Sequence, residues 1–176
     1  MPYGLHEMAS HVEFVQWVPF PLKRVFLFFA DPENLPRIMP PATGTRIDEL
    51  RLVSPAEAPE SSHLAGAGSE IVTSFRPFPF LPFRAQWIAQ ITEFEWNHHF
   101  ADVQKKGPFR SFQHRHQLAA ADRDGVSGTL VRDVIDFDAG FGIVGRMVER
   151  VFIGPQLRRT FRHRQETLEE LLASEK

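Results

Sequence analysis

"FGIVGRMVERVFIGPQLRRTFRHRQETLEELL", residues Phe141 to Leu172, carries apolar side chains with a helical period. Phe141, Val144, Val148, Val151 and Phe152 keep that spacing, and beyond Gly154-Pro155 so do Leu157, Phe161, Leu168, Leu171 and Leu172. The pattern predicts one long amphipathic C-terminal helix. A kink is expected near Pro155, whose ring and missing N–H disturb the helical ladder. A helix of this kind must bury its apolar stripe, and the residues upstream decide against what.

Those residues read mostly as strands. "HVEFVQWVPF" (11–20) alternates as a first strand and is ended by Pro19 and Pro21, since proline cannot donate to a sheet ladder. "PLKRVFLFFADPENLPRIMPP" (21–41) reads as a short helix with Val25, Phe28 and Phe29 on one face, a break at Asp31-Pro32, and a second short helix to about Ile38. From Thr45 to about Phe137, "TRIDELRLVS", "SEIVTSFRPF", "FRAQWIAQITEFEW", "HFADVQKK", "FRSFQHRHQLAAA" and "TLVRDVIDFDAG" read as consecutive strands of an antiparallel meander. The Pro/Ala/Ser/Gly segment 54–68 reads as a flexible loop, and "RPFPFLPF" (76–83) as a hairpin tip whose phenylalanines cap the core or form a greasy lid. A strand, two short helices, six strands and a long helix pack best as an α+β domain in which a curved sheet wraps the last helix. Such a packing tends to leave an internal cavity suited to apolar ligands.

Composition narrows the function. A 176-residue chain is the size of one domain, taken here as 1–176 with an N-terminal tail at 1–9. Net charge is −2, which gives no global attraction to nucleic acid or to an anionic surface. Cysteine is absent, so disulfides, thiolate catalysis and thiolate-bound zinc are excluded, in keeping with a cytoplasmic protein. No apolar run approaches the ~20 residues that span a bilayer, so stable membrane insertion is not expected. With 17 Phe and 3 Trp against one Tyr, Tyr3, the interior is greasy and short of phenolic hydroxyls.

Strand alternation singles out the chemistry. In "FQHRHQL" (112–118), Phe112, His114, His116 and Leu118 share one face, while Gln113, Arg115 and Gln117 share a polar one that must meet water. In the next strand Val131, Asp133, Ile135 and Phe137 share a face, which puts Asp133 inside. A buried carboxylate needs a partner, and a histidine on the adjacent strand is the natural one. The resulting His114, His116 and Asp133 cluster has three readings. It fixes strand register, it orients the polar end of an apolar ligand, or it supplies acid–base chemistry or metal ligands. Arg146 and Glu149 read as solvent-side pairs, and "RRTFRHR" (158–164) as a solvated basic face.

Four stretches together resemble the START-like, helix-grip (SRPBCC) superfamily, in its polyketide cyclase/dehydrase-like bacterial branch. They are "VFLFFADPENLPRIMPP", "FADVQKKGPFRSFQHRHQL", "GTLVRDVIDF" and "GFGIVGRMVERVFIGPQLRRTFRHRQETL". Gly154-Pro155 interrupts a helix usually continuous in that family, and Phe112 stands where relatives often carry Trp. The resemblance implies a helix-grip fold around an apolar pocket and adds Asp102 and Gln104 as cavity-lining positions. The expected ligand is a hydrophobic small molecule or lipid-like metabolite, held by an apolar wall of Trp87, Phe112, Val131, Phe137, Val144, Val148 and Phe152, with no cofactor, metal or nucleic acid. A polyketide-type cyclase/dehydratase using His114, His116 and Asp133 is the alternative. A ligand-free interaction protein is a further one, because fold does not settle function.

Overall fold

The computed structural model describes residues 10–58, 63–77 and 83–174. The tail 1–9 with Tyr3, the middle of the 54–68 loop, and Phe78 and Phe80 lie outside the described residues. Strand β1 (Ser10–Val18) leads to helix α1 (Leu22–Ala30), a 3-10 turn (Pro32–Asn34), the short helix α2 (Leu35–Ile38) and a second 3-10 turn (Pro41–Thr43). Six strands follow: β2 (Arg46–Arg51), β3 (Glu70–Phe75), β4 (Ala85–Glu95), β5 (His99–Lys106), β6 (Ser111–Arg123) and β7 (Val126–Asp138). The chain then enters helix α3 (Gly142–Val148), a π-helical turn (Glu149–Ile153) and helix α4 (Gly154–Ser174), without a break between them.

All seven strands form one antiparallel sheet in the order β1-β7-β6-β5-β4-β3-β2. Among the described residues only the β1–β7 pairing is non-local, and it brings the first strand beside the last. The β6–β7 hairpin is closed by Asp124 and Gly125, at φ of 52° and 77°, between the paired residues Arg123 and Val126. Two successive left-handed residues make the type I′ turn whose twist matches that of the strands, which is why Asp-Gly stands there. Register shifts between Ile88 and Ala89 and between Ile91 and Glu93 insert bulges where β4 meets β5. Bulges bend and twist a strand, so the middle of the sheet curls.

The concave face and the helices enclose the core. Val25, Phe26, Phe28 and Ala30 of α1 are buried with Val18, Ile38, Ile91, Phe100, Leu118, Val131, Leu168 and Leu172. A second cluster joins Ile135 and Phe137 of β7 to Phe161 of α4, with Phe14 stacked on Phe161 at 4.2 Å. The described flanks of the 54–68 loop are anchored: Leu64 and Ala65 are buried, Ala65 donates to the carbonyl of Ala30 and Gly66 to that of Val53.

Helix α4 buries its stripe at Phe161, Leu168 and Leu172, but α3 does not follow it. Phe141, Val144, Val148, Val151 and Phe152, expected to turn inward, are exposed. The irregularity ahead of Pro155 is the π-helical turn. The N–H of Gly154 bonds the carbonyl of Glu149, five residues back, and the extra residue rotates α3 out of register with α4. No helix among the described residues is long and apolar enough to cross a membrane.

Candidate functional site

Strand register assembles the site. Asp102 of β5 stands directly across from His114 of β6, and His116 directly across from Asp133 of β7. His114 pairs with Ile135, which leaves Asp133 on its diagonal, within reach of a long side chain. Side-chain alternation then turns all four toward the concave face. His114, His116 and Asp133 are buried, and the Asp102 side chain is nearly so.

Asp133 is the hub. One of its oxygens, Oδ1, lies 2.9 Å from His114 Nε2 in a hydrogen bond, and 2.6 Å from His116 Nδ1. The second contact is close but out of line for a hydrogen bond, so His116 Nδ1 is buried without a hydrogen-bond partner. On its other side His114 offers Nδ1 to Asp102 Oδ1 at 3.8 Å. Aromatic rings fill the surroundings. Phe100 stacks on His116 at 4.4 Å, Phe29 lies 5.4 Å from it, and Phe161 meets His114 edge-on at 5.6 Å.

A fifth member comes from the helix. Arg164 reaches toward the cluster with its guanidinium 4.6 Å above Phe161 and 6.0 Å from Phe29. It is half-buried, against the expectation of a solvated "RRTFRHR" face, of which Arg158, Arg159 and Arg162 are the exposed part. Sequence reasoning missed it although the signal was present. Arg164 follows Phe161 by three residues and precedes Leu168 by four, which puts it on the apolar stripe.

Burial dominates the ionisation of this group. It lowers the pKa of His114, with His116 adding to the effect and Asp133 opposing it, and it lowers that of His116 against the pull of Asp133. Asp102 is raised by burial, which outweighs the attraction of His114 and Arg164. For Asp133 burial acts upward but loses to the attraction of His116, the hydrogen bond with His114 and the charge of Arg164, and the carboxyl is held well below its ordinary range. At neutral pH the cluster is an ionised Asp133 between two neutral imidazoles, with Arg164 as the nearby positive charge.

Such an arrangement can move protons, present donors and acceptors to a ligand oxygen, or hold a cation. Asp102, His114 and His116 each offer a ligand atom within 4.8 Å of one another, so the compact trio contains Asp102 in place of the anticipated Asp133. Arg164 opposes a cation there.

Other anticipated positions divide. Trp87 and Phe112 are half-buried and meet edge-to-face at 4.8 Å, with Phe109 packed beside both. Gln104 does not offer its amide to the interior: Nε2 donates to the carbonyl of Phe109 at 2.7 Å and Oε1 accepts from its N–H, which ties down the β5–β6 turn. Val131 and Phe137 are covered by protein side chains at 2% and 1% exposure. Val144, Val148 and Phe152 lie on the exposed helix α3 and π turn, outside both core clusters. Glu149, anticipated as a solvent-side partner of Arg146, is buried and accepts from Ser10 Oγ at 2.7 Å and from the N–H of Ala139 at 2.6 Å.

A curled antiparallel sheet gripping one long helix is the START-like, helix-grip fold. Solved structures of low sequence identity share this fold. The protein TTHA0849 from Thermus thermophilus matches at a TM-score of 0.64 and 14% identity, over 94% of this chain and 98% of its own. A START superfamily protein from Mycobacterium smegmatis matches at 0.60 and 14%, over 93% and 97%, and Ara h 8.0201 at 0.63 and 14%, over 95% and 99%. The sequence pattern of the family described as polyketide cyclase / dehydrase and lipid transport matches residues 18–166, and the chain belongs to that family. No curated protein matches the sequence.

Proposed function

We propose that the protein binds a hydrophobic small molecule or lipid-like metabolite between the concave face of the sheet and the C-terminal helix. The observation that carries this reading is the junction of two surfaces there. The desolvated Asp102, His114, His116, Asp133 and Arg164 cluster adjoins an aromatic wall, Trp87, Phe109 and Phe112, whose rings are neither fully buried nor exposed. Ile153 and Leu157 of the helix pack on the same Ile135, Phe137 and Phe161 cluster as Phe109 and Phe112, and are themselves only partly buried. The wall would take the apolar body of the ligand and the cluster its oxygen-bearing end. Burial of about 300 Å² at ~25 cal/mol per Å² contributes roughly 7 kcal/mol before ordering costs, so affinity in the micromolar range is expected.

Titration with the uncharged fluorophore N-phenyl-1-naphthylamine tests the reading. One saturable site per chain is expected, with energy transfer from tryptophan that falls in Trp87→Phe while binding persists. Emission that never saturates contradicts the reading.

A second reading, a cyclase/dehydratase, is favoured by one feature. Neutral His114 and His116 beside an ionised Asp133 form a base whose conjugate acid the carboxylate would stabilise. Turnover of a poly-β-ketone that disappears in His114→Ala would support it, and binding without turnover would leave the carrier reading.

A further inference from the structure

The surface of α3 and the π turn serves no purpose in the site just described. Among the described residues, the segment touches the rest of the fold along one narrow stripe. Gly145 packs so closely on the carbonyl of Gly140 that a Cβ there would stand 1.6 Å from the oxygen. One turn on, Glu149 is held by Ser10 and Ala139, and then Ile153 is partly buried. Everything else faces outward. Phe141, Ile143, Val144, Met147, Val148, Val151 and Phe152 are between 40% and 87% exposed. So many large apolar side chains on three helical turns exceed the scattered exposure usual for a soluble surface.

Two further observations bear on the occupant. From Gly140 to Gln165 the only carboxylate is Glu149, and it is turned inward, whereas Arg146 and Arg150 are exposed on the same turns and Arg158, Arg159 and Arg162 continue along the helix. The outward face is therefore apolar and purely basic. Second, the most exposed of these residues, Phe141, has a left-handed backbone at φ 61°, between Gly140 at 76° and Gly142 at 56°. A bulky residue is costly in that region, and at an exposed tip no core packing repays the strain. The turn thrusts an aromatic ring beyond the end of the helix.

We propose that Phe141 and the outward face of residues 143–152 form a docking surface for an anionic lipid bilayer. The apolar side chains would enter the boundary between headgroups and acyl chains, and Arg146 and Arg150 would meet the anionic headgroups. A second copy of the chain fits less well. A two-fold contact through this face would bring arginines together with no exposed carboxylate of the segment to answer them. The surface lies outside the proposed ligand site, so the two readings stand or fall separately.

Vesicle flotation of the full chain, free of added ligand, tests the proposal. Binding is expected to phosphatidylcholine vesicles containing phosphatidylglycerol, to weaken with added salt, and to be slight on phosphatidylcholine alone. Arg146→Glu with Arg150→Glu should weaken it by roughly 20-fold or more, and Met147→Asp with Val151→Asp should abolish it. All four positions are exposed, and unchanged circular dichroism would verify folding. Absence of binding to the anionic vesicles overturns the proposal, as does wild-type binding in both double variants. Concentration-dependent dimerisation abolished by Met147→Asp with Val151→Asp, without vesicle binding, also overturns it and assigns the face to a second copy.

Discussion

At the scale of the residue, the central object is Asp133 and what it does to its neighbours. Its carboxylate opposes the desolvation that lowers the pKa of both histidines, so removing the charge should lower them further. In Asp133→Asn, histidine NMR titrations should shift to lower pH, and urea unfolding should show a loss of about 2–4 kcal/mol from breaking a buried charge-assisted network. Unchanged titrations would show that the contacts have no energetic content. Proton linkage gives a second prediction. Both imidazoles have folded pKa values below the ordinary ~6.5, so in the window beneath it the unfolded chain binds more protons. The stability they contribute is complete above about pH 7 and is lost as pH falls through their folded values. Asp102, raised by burial, acts with the opposite sign above the ordinary aspartate range, where its proton favours the folded state. In Asp102→Asn, calorimetry from pH 7 down to the ordinary aspartate range at about 4 should therefore show a larger fall in Tm than in the parent protein. The inward histidines and Asp133 were legible because a strand's period of two leaves no freedom once Gln113, Arg115 and Gln117 are sent to water. Arg164 was not, because a run of arginines dominated the reading of its helix and only the direction in which the helix faces separates it from them.

Elements teach a different lesson. The long C-terminal helix, the two short helices after β1 and the antiparallel meander could all be read from period and turn chemistry, down to the Asp124-Gly125 turn. What could not be read was that the helix has two halves with different orientations. An apolar period indicates a stripe but not what covers it, and the π turn before Pro155 resets the phase between Val148 and Leu157. The half beyond it is sealed by Phe161, Leu168 and Leu172, and the half before it is held mainly by Glu149. Glu149→Ala should thus release residues 142–153 selectively. Hydrogen exchange there is expected to speed up by roughly 10- to 100-fold, the loss of about 1–3 kcal/mol of local stability, with little change over residues 157–172. Uniform acceleration along the whole helix would contradict the division.

At the scale of the molecule, the described strands curl around one helix and set a partly exposed aromatic wall next to five ionisable side chains. Binding of an apolar molecule with a polar end accounts for both. The fold was legible as a whole because the order of elements admits few packings. The proposed wall was not, since three of its expected members, Val144, Val148 and Phe152, belong to the outward half of the helix, and Gln104 is taken up by the backbone of Phe109. Native mass spectrometry of the purified full chain, before and after organic extraction, tests the central claim most directly. The account predicts a species heavier than the 20.2 kDa polypeptide that loses an apolar small molecule on extraction and regains mass when the extract is returned. A bare polypeptide that takes up neither the extract nor N-phenyl-1-naphthylamine would contradict it.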